Sequence, residues 1–224
     1  MLVGSNVRPV AIVGGLRIPF ARANGAYAKV GNQDMLSAVL GAVVERFRLR
    51  GERLGDVVAG AVIKHSRDWN LTRESLLSTG LDPQTPGLDV QRACGTSLEA
   101  AVAVANKIAL GQIDAGIAGG VDTVSDPPIV YPRAYQQLLL RSFRARSLGA
   151  RLRPFLGLRP AMFKPVLPGV VEPRTGLSMG QSTELMAEHW GIGRQEQDEL
   201  ALASHLRAAA ARIRARGPRH AHCG

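Results

Sequence analysis

Short apolar runs alternate with segments of helical periodicity through the first 125 residues, and this alternation constrains the fold more than any other feature. After Asn32, which is placed to cap a helix, apolar residues recur at helical spacing as far as Phe47. Four runs have the length and apolarity of buried strands. They are residues 9–14, 56–63, 88–91 and 115–121. Because helical segments separate these runs, the pattern predicts an α/β fold with a mixed, mostly parallel sheet that helices cover on both faces.

Two further helices are predicted within this core. One covers residues 70–78, and the other begins at Thr96. Thr96 and Glu99 have the spacing of a capping box, in which each side chain serves a backbone N–H group of the first turn. The helix from Thr96 is apolar nearly all round, as Leu98 and Val104 illustrate, and such a helix is expected to be buried.

The alternation stops at Asp126, where the sequence becomes rich in Pro, Arg and Leu without a clean helical or strand period. We interpret this segment as an inserted lobe that does not join the sheet. Helical patterns resume at residues 182–189 and 194–212. The predicted domains are a core at residues 1–125, an inserted loop domain at 126–189, a returning core helix at 190–213 and an atypical basic tail at 214–224.

The formal net charge of +10 is concentrated in one part of the chain. Residues 127–171 contain no Asp or Glu, whereas they carry seven arginines and one lysine. Such a segment attracts nucleic acid, anionic lipid or a phosphate-bearing small molecule, and charge alone does not choose among the three. Because no nucleic-acid-binding module is recognisable, we expect no nucleic-acid partner. Leucines and phenylalanines alternate with the arginines, so contact with a membrane surface stays open, at most as peripheral contact.

Cysteine content and apolar segments limit the remaining classes. Two cysteines, Cys94 and Cys223, are too few for a disulfide framework. His220, His222 and Cys223 lie close together, but a short basic tail is a weak metal signal, and we predict no metal site. No secretory signal is visible, and the most apolar stretch, residues 100–110, is short and interrupted by polar residues. We therefore expect a cytoplasmic protein.

The segment with the clearest chemistry is Arg-Ala-Cys-Gly-Thr-Ser, residues 92–97, where Cys94 lies between a predicted strand and a predicted helix. Backbone N–H groups and the helix dipole stabilise negative charge at such a position, so they favour the reactive thiolate. Gly95 allows a substrate to approach the backbone closely, and the same N–H groups can hold a thioester oxygen. This is the arrangement of a nucleophile elbow with sulfur as the attacking atom. A lone cysteine in an apolar stretch is also typical of a buried core residue, so both interpretations stay open at this point.

Six stretches carry a resemblance to a known family. They are LRIPFARANG (16–25), KHSRDWNLTRE (64–74), VQRACGTSLE (90–99), AGGVDTVS (118–125), SMGQSTELMA (178–187) and QEQDELALASH (195–205). In these stretches the chain resembles thiolases, and most closely those like the β subunit of fatty-acid oxidation complexes. The Cys94 motif and the Gly-Gly-Val-Asp segment are specific, because their order and spacing both fit. The resemblance extends over about residues 10–211.

The resemblance implies a thiolase-like N-terminal half in which Cys94 takes an acyl group as a covalent thioester. The implied activity is that of a 3-ketoacyl-CoA thiolase or acetyl-CoA acetyltransferase of fatty-acid β-oxidation, with coenzyme A or acyl-CoA as substrate and no permanently bound cofactor. The loop domain at residues 126–189 would cover coenzyme A, whose phosphates need cationic partners. Met179 matches a residue that lines the acyl pocket, and Ser178 stands where many thiolases have a histidine that contacts the pantetheine arm. The family suggests a homo-oligomer or association with a fatty-acid oxidation partner subunit.

The sequence lacks the segments with which the family's second half completes the active site. Gly-His-Pro, Asn-Glu-Ala-Phe and Cys-Gly-Gly segments do not occur, so no base or acid for Cys94 is recognisable. We therefore expect a truncated acyltransferase whose half-site exposes apolar surface. The alternative is a catalytically inactive thiolase fragment, or a partner subunit that binds acyl-CoA or another thiolase chain.

Overall fold

The computed structural model describes residues 7–166, 169 and 171–216. The chain divides into two compact units, residues 1–168 and residues 169–224. The first unit contains, in chain order, α1 (Asn32–Arg46), β1 (Asp56–Ala59), α2 (Leu71–Leu77), β2 (Gly87–Asp89), α3 (Thr96–Ala109), β3 (Gly116–Ala118), α4 (Arg133–Arg144) and α5 (Leu148–Leu152). Two 3₁₀ turns follow, Arg153–Gly157 and Pro160–Phe163, and the second unit contains α6 (Met179–Trp190) and α7 (Arg194–Arg216).

β1 is the central strand of a parallel sheet with the order β2-β1-β3. Val57 of β1 lies opposite Gly87 of β2 and Ile117 of β3. Val57 is buried on the face that α1 and α2 cover, whereas the next residue, Val58, is buried against α3 on the opposite face. This alternation follows from the two-residue period of a strand. The predicted α/β fold with helices on both faces is confirmed, and the three described strands all pair in parallel.

The face covered by α1 and α2 holds the larger part of the core. Leu36 and Val44 of α1 are almost fully buried there, as are Leu71 and Leu76 of α2. Each leucine or valine side chain that leaves water in this way contributes about 1.5–3 kcal/mol to folding. The amphipathic pattern that predicts α1 therefore also identifies the residues that hold it on the sheet.

The cap of α2 connects this helix to β2. The Asn70 side-chain oxygen accepts a hydrogen bond from Arg73 N at 2.9 Å, and Asn70 Nδ2 donates to the Gly87 carbonyl oxygen at 3.0 Å. The helix predicted at residues 70–78 is confirmed, and its first polar residue serves both as an N-terminal cap and as a link to the sheet.

The strand predicted at residues 9–14 is wrong. These residues have no strand structure, and Ile12 and Val13 are 92% and 84% exposed. Both edges of β1 are taken by β2 and β3, so the run has no place beside the central strand. It instead lines one wall of an apolar cavity of about 1050 Å³, whose other walls include α1, α3 and β3. Apolar composition predicts burial in a sheet, but it does not determine which edge a run pairs with.

The N-terminus of α1 also differs from the prediction. Gly31, and not Asn32, is the N-cap, and its N–H donates to the Asp34 carboxylate at 3.0 Å. Asn32 is the first helical residue, and its Nδ2 donates to the Ile63 carbonyl oxygen at 2.6 Å. Because the Asp34 carboxylate accepts from the Gly31 N–H group, the Asn32 side chain is not needed as a cap. It instead links α1 to the segment after β1.

Residues 131–165 form a lobe outside the three-stranded sheet, and this lobe contains helices although its sequence shows no clean helical period. α4, α5 and the two 3₁₀ turns occupy most of this lobe. Tyr135 packs edge-on against Tyr131 and at a tilt against Phe163, with ring centroids 5.1 Å and 5.3 Å apart. Leu138 is buried while the leucines beside it are exposed, so both sides of α4 are apolar and the sequence shows no clean helical period.

The two helices predicted for the second unit are confirmed with different ends. α6 begins earlier than predicted, because Ser178 and Gln181 form a capping box in which each side chain accepts from the other residue's N–H. Gly191 ends α6 in the left-handed conformation, with φ of 66°. α7 continues to Arg216, beyond the predicted end of the helix. The predicted domain limits at residues 125, 189 and 213 stay predictions.

Asp89, at the end of β2, connects the loop after β1 to the start of α2. Its carboxylate accepts from Lys64 Nζ at 2.6 Å and from the backbone N–H groups of Leu71 and Thr72 at 3.0 Å and 2.8 Å. Partial burial works to raise the pKa of Asp89, but the Lys64 ammonium and these N–H groups outweigh it and hold the pKa below its ordinary value of 3.8. The ionised carboxylate therefore stabilises the folded chain.

We predict that Asp89→Asn lowers the free energy of unfolding near neutral pH by about 2 kcal/mol, because the amide loses the ion pair with Lys64. A lowered folded-state pKa contributes stability that is present above the unfolded-state value of roughly 4 and is lost as the pH falls through the folded-state pKa. Urea unfolding from about pH 7 to about pH 3 should therefore bring the wild-type curve down toward that of the variant. Equal pH dependence in both proteins would contradict this role of Asp89.

Candidate active site

Cys94 lies on a tight turn between β2 and α3, where the sequence predicts the elbow. Gly95 N donates to the Arg92 carbonyl oxygen at 2.9 Å, and Thr96 N donates to the Ala93 carbonyl oxygen at 3.1 Å. Cys94 is exposed with a free thiol, which rules out the alternative of a buried core residue. A substrate can reach the sulfur, and α3 begins two positions later, so its N-terminal dipole acts close to Cys94.

The backbone before the nucleophile is strained. Ala93 has φ of 43°, which lies in the left-handed region that residues with a Cβ seldom adopt. Holding an L-residue there costs about 1–2 kcal/mol. Strain of this kind persists only where surrounding contacts determine the conformation, and it is common at functional turns. The turn at Cys94 is therefore a feature that the rest of the site must stabilise.

Thr96 supplies part of that stabilisation. Its buried hydroxyl accepts a hydrogen bond from Arg92 N at 2.9 Å and donates to the Ala93 carbonyl oxygen at 2.7 Å. The capping box predicted for Thr96 and Glu99 is wrong, because the hydroxyl turns back over the elbow and Gly95 is the N-cap. Glu99 forms an ion pair with Arg92 at 2.8 Å. Thr96 and Glu99 of the first turn thus both hold residues that precede Cys94.

Two glycines allow the turn to sit close to the ends of β1 and β3. A Cβ on Gly60 would overlap the Val90 carbonyl oxygen and lie 3.1 Å from the Thr96 methyl group. A Cβ on Gly120, in the Gly-Gly-Val-Asp segment, would overlap the Ser97 hydroxyl. The absence of side chains at these two positions therefore lets the first turn of α3 pack directly on backbone.

The loops that follow β1 and β3 are joined by Asp122, the last residue of the Gly-Gly-Val-Asp segment, and by His65 and Asp126, whose contacts the sequence does not predict. The Asp122 carboxylate accepts from the N–H groups of Val62 and Ile63, at 2.9 Å and 2.8 Å. Further along, His65 Nε2 lies 3.0 Å from the Asp126 carbonyl oxygen and 3.1 Å from its carboxylate.

The two predicted coenzyme-binding residues, Ser178 and Met179, lie at the start of α6 in the second unit. The Ser178 hydroxyl accepts from Gln181 N at 3.3 Å, so it is engaged in capping the helix. Met179 is 70% exposed, and its side chain is accessible to a ligand. Ser178 and Met179 are adjacent in the second unit, whereas Cys94 belongs to the first unit. Their contact with coenzyme A stays a prediction.

Other predicted site features concern metals and membranes. Among the residues that the structure describes, no three His, Cys, Asp or Glu side chains come together as metal ligands do. His220, His222 and Cys223, which gave the weak metal signal, lie outside the described residues. No helix within the described ranges combines the length and apolarity needed to cross a bilayer.

We predict that Thr96→Val lowers the free energy of unfolding by about 1 kcal/mol, because the Arg92 N–H and the Ala93 carbonyl oxygen both lose the buried Thr96 hydroxyl as partner. Ser75→Ala is the matched control, since the buried Ser75 hydroxyl has no hydrogen-bond partner among the described residues. Urea unfolding of both variants checks the expectation. A loss in the control as large as the loss in Thr96→Val would show that the hydroxyl does not hold the turn.

We predict that Ala93→Gly stabilises the chain by about 0.5–1 kcal/mol, because glycine relieves the strain of the positive φ. Ala101→Gly, at an exposed position within α3, should instead destabilise by about 1 kcal/mol. Thermal unfolding should therefore show a higher midpoint temperature than wild type for Ala93→Gly and a lower one for Ala101→Gly. Destabilisation at both positions would mean that Ala93 is not strained.

The chain matches known proteins over most of its length. The family described as Thiolase, N-terminal domain, matches residues 10–216. A 3-ketoacyl-CoA thiolase of Pectobacterium atrosepticum is 42% identical over 202 residues, which cover 90% of this chain and 46% of that protein. A 3-ketoacyl-CoA thiolase of Erwinia tasmaniensis is 40% identical over 200 residues, which cover 89% of this chain and 46% of that protein.

A solved structure gives the same result for the fold. The acetyl-CoA acetyltransferase of Bacillus anthracis matches with a TM-score of 0.65 at 25% identity, over 84% of this chain and 44% of that chain. The chain spans about half the length of the curated relatives it matches. The matched range includes the Cys94 turn and the Gly-Gly-Val-Asp segment that packs beside it. The chain therefore belongs to the thiolase family and corresponds to its N-terminal domain.

Proposed function

We propose that this chain supplies the nucleophile of an acyl-CoA acyltransferase, with Cys94 Sγ as the atom that takes the acyl group. The observation that carries the proposal is the exposed thiol of Cys94 on a strained turn at the N-terminus of α3. The N-terminal dipole of α3 stabilises negative charge that develops beside it during acyl transfer. The names of the relatives, 3-ketoacyl-CoA thiolase and acetyl-CoA acetyltransferase, support acyl-CoA as the substrate class.

The proposed reaction transfers an acyl group in two steps. In the cleavage direction, the Cys94 thiolate attacks the 3-keto carbon of a 3-ketoacyl-CoA, so that a bond forms between Sγ and this carbon. The bond between C2 and C3 breaks, and its electron pair leaves on acetyl-CoA, which takes up a proton. The thiol of coenzyme A then gives its proton to a base and attacks the acyl-Cys94 thioester. A shortened acyl-CoA forms and the Cys94 thiolate returns, and condensation is the same sequence in reverse.

The proton transfers need a base and an acid beside Cys94. The Gly-His-Pro and Cys-Gly-Gly segments through which thiolases supply them do not occur in the 224 residues. In the first unit the His65 side chain contacts Asp126, and no hydrogen bond among the described residues joins it to Cys94. The full reaction therefore depends on groups from another polypeptide segment, whereas formation of acyl-Cys94 needs only the Cys94 sulfur and one proton for the departing acetyl-CoA, which water can supply.

The coenzyme part of the proposal assigns residues 126–189 to the cover over coenzyme A, with Ser178 and Met179 at the pantetheine arm and the acyl group. The exposure of Met179 and the cations of this segment support it. The proposal places the protein in fatty-acid β-oxidation in the cytoplasm, either as a homo-oligomer or with a fatty-acid oxidation partner subunit.

A second candidate function is a non-catalytic chain that binds acyl-CoA or another thiolase chain. One observation favours it: α3, which was expected to be buried, has an uncovered apolar side, where Leu98 is 71% exposed and Val102 is 44% exposed. Uncovered leucine and valine side chains on a central helix are typical of a surface that another polypeptide covers. In this case Cys94 would not acquire an acyl group.

We predict that incubation with acetoacetyl-CoA adds one acetyl group to the wild-type chain, because the Cys94 sulfur attacks the 3-keto carbon and acetyl-CoA leaves. Intact-mass spectrometry measures the adduct. Cys94→Ser should carry none, whereas Cys223→Ser, which removes the other cysteine, should be modified like the wild type. Folded wild-type protein without an adduct, or an adduct that survives Cys94→Ser, would contradict the proposal and favour the binding function.

A further inference from the structure

A large apolar cavity of about 1050 Å³ lies within the first unit, between residues 10–23 and the elements beside them. Its apolar lining includes Val43 of α1, Ala105 of α3 and Ile117 of β3. The volume is slightly above the roughly 300–1000 Å³ that is usual for cavities that enclose most of a small ligand. The Cys94 turn, which the structure describes in full, contributes no residue to the lining, so the cavity is distinct from the candidate active site.

Residues 10–23, the N-terminal wall of the cavity, are attached at their two ends. Before the wall, Arg8 pairs with the Asp114 carboxylate at 2.8 Å. After it, Asn24 N donates to the Ser125 hydroxyl at 2.9 Å. Between these anchors, residues 10–21 form no hydrogen bond with any residue that the structure describes. The N-terminal wall can therefore shift relative to β3 when a ligand enters, because few local bonds oppose the movement.

Two arginines of the N-terminal wall have no carboxylate partner. Arg17 and Arg22 line the cavity, and neither forms an ion pair with a residue that the structure describes. The guanidinium carbon of Arg17 lies 4.6 Å from the centre of the Phe20 ring, which keeps this cation beside an apolar side chain. Both guanidinium groups are therefore available to an anion.

The acidic residues in the lining are already engaged. Asp114 pairs with Arg8, and the Asp122 carboxylate accepts from the backbone N–H groups of Val62 and Ile63. Neither carboxylate neutralises the two arginines of the wall through an ion pair. An apolar cavity with two free guanidinium groups attracts an anion that also carries apolar surface.

We propose that this cavity binds a fatty acid or a similar amphiphile that has one apolar chain and a carboxylate head. The carboxylate contacts Arg17 and Arg22, and the chain lies along α1, α3 and β3. Guanidinium and carboxylate match each other through two parallel hydrogen bonds. The chain is favoured because both its surface and the apolar walls leave water. The site takes no part in acyl transfer at Cys94, so it is a second binding function of the chain.

Two other occupants use less of the site. An added β-strand requires a regular edge, but β3 is three residues long and residues 9–22 have no strand structure. An uncharged lipid would fill the apolar space but leave Arg17 and Arg22 without a partner. A carboxylate with a long apolar chain uses the walls and the cations together.

The head-group part of the proposal is tested by displacement of dansyl-undecanoic acid, a fluorescent fatty acid, from the full chain. The competitors are decanoate and decanol, which have the same chain with and without the carboxylate. Arg17→Gln/Arg22→Gln should weaken decanoate binding by about tenfold and leave decanol binding within about twofold. Lys29→Gln/Arg48→Gln, which removes two exposed cations that do not line the cavity, should leave both within about twofold. Equal losses for decanoate in the two double variants would overturn the assignment of the head group.

The chain part is tested by length and by filling the cavity. Octanoate, decanoate and laurate should bind with affinities that rise about tenfold for each two methylene groups. Ala105→Trp places an indole in the cavity and should weaken laurate binding by about tenfold or more, whereas Ala42→Trp, at an exposed position of α1 outside the lining, should leave it within about twofold. Val102→Trp fills the same wall and replaces Ala105→Trp if circular dichroism shows that variant to be unfolded. Equal affinities in cavity-filling and control variants would overturn the site.

Three further ligands separate the fatty acid from other occupants. A peptide copy of residues 115–121 that displaces dansyl-undecanoic acid better than laurate does would overturn the proposal in favour of an added strand. Lauroyl-CoA that binds more tightly than laurate, and that Ala105→Trp weakens equally, would overturn it in favour of the acyl chain of a coenzyme A ester. Free coenzyme A should displace no probe. Cys94→Ser should bind laurate like the wild type, so this proposal and the acyl-transfer proposal succeed or fail separately.

Discussion

Backbone hydrogen bonds on both sides of β1 continue past the ends of β2 and β3, and the position of Cys94 depends on them. Val90 N donates to the Ala59 carbonyl oxygen at 2.9 Å, and Val121 N donates to the Gly60 carbonyl oxygen at 3.0 Å. The segments that leave β2 and β3 are therefore held side by side beyond the sheet. The strained turn, the threonine that holds it and the glycines that make room for it all occupy this extension of the ladder.

The parts of the fold that follow from local sequence were predictable. Asn70 caps a helix because the acceptor and the N–H it serves are three residues apart, and Val57 and Val58 face opposite sides because a strand alternates. The course of residues 9–14 was not predictable, since pairing with a strand depends on which edges distant segments have already taken. The helix α4 could not be predicted for another reason. Apolar side chains lie on both of its sides, so the sequence shows no helical period of apolar residues.

The same division applies to the site. The position of Cys94 between strand and helix is local, and the sequence identified it. The contacts that stabilise the turn could not be predicted in the same way. Thr96 matches a capping pattern, but its hydroxyl instead bonds Arg92 N and the carbonyl oxygen of the strained Ala93. The Gly-Gly-Val-Asp segment could be recognised as a motif, whereas the reason for its glycine became visible only when the Ser97 side chain was placed against it.

The parallel order of the sheet has a consequence for how the chain folds. β1 pairs with β3 although Asp56 and Gly116 belong to segments separated by two helices and another strand. Before the first hydrogen bond between such distant strands can form, a large loop must close, and this closure costs conformational entropy. Domains dominated by contacts of this kind fold slowly. During this interval the apolar runs of β1 and β3 have unpaired edges, which can associate with the same runs of other chains. The yield of native protein therefore depends on chain concentration during refolding, while the stability of the finished fold does not.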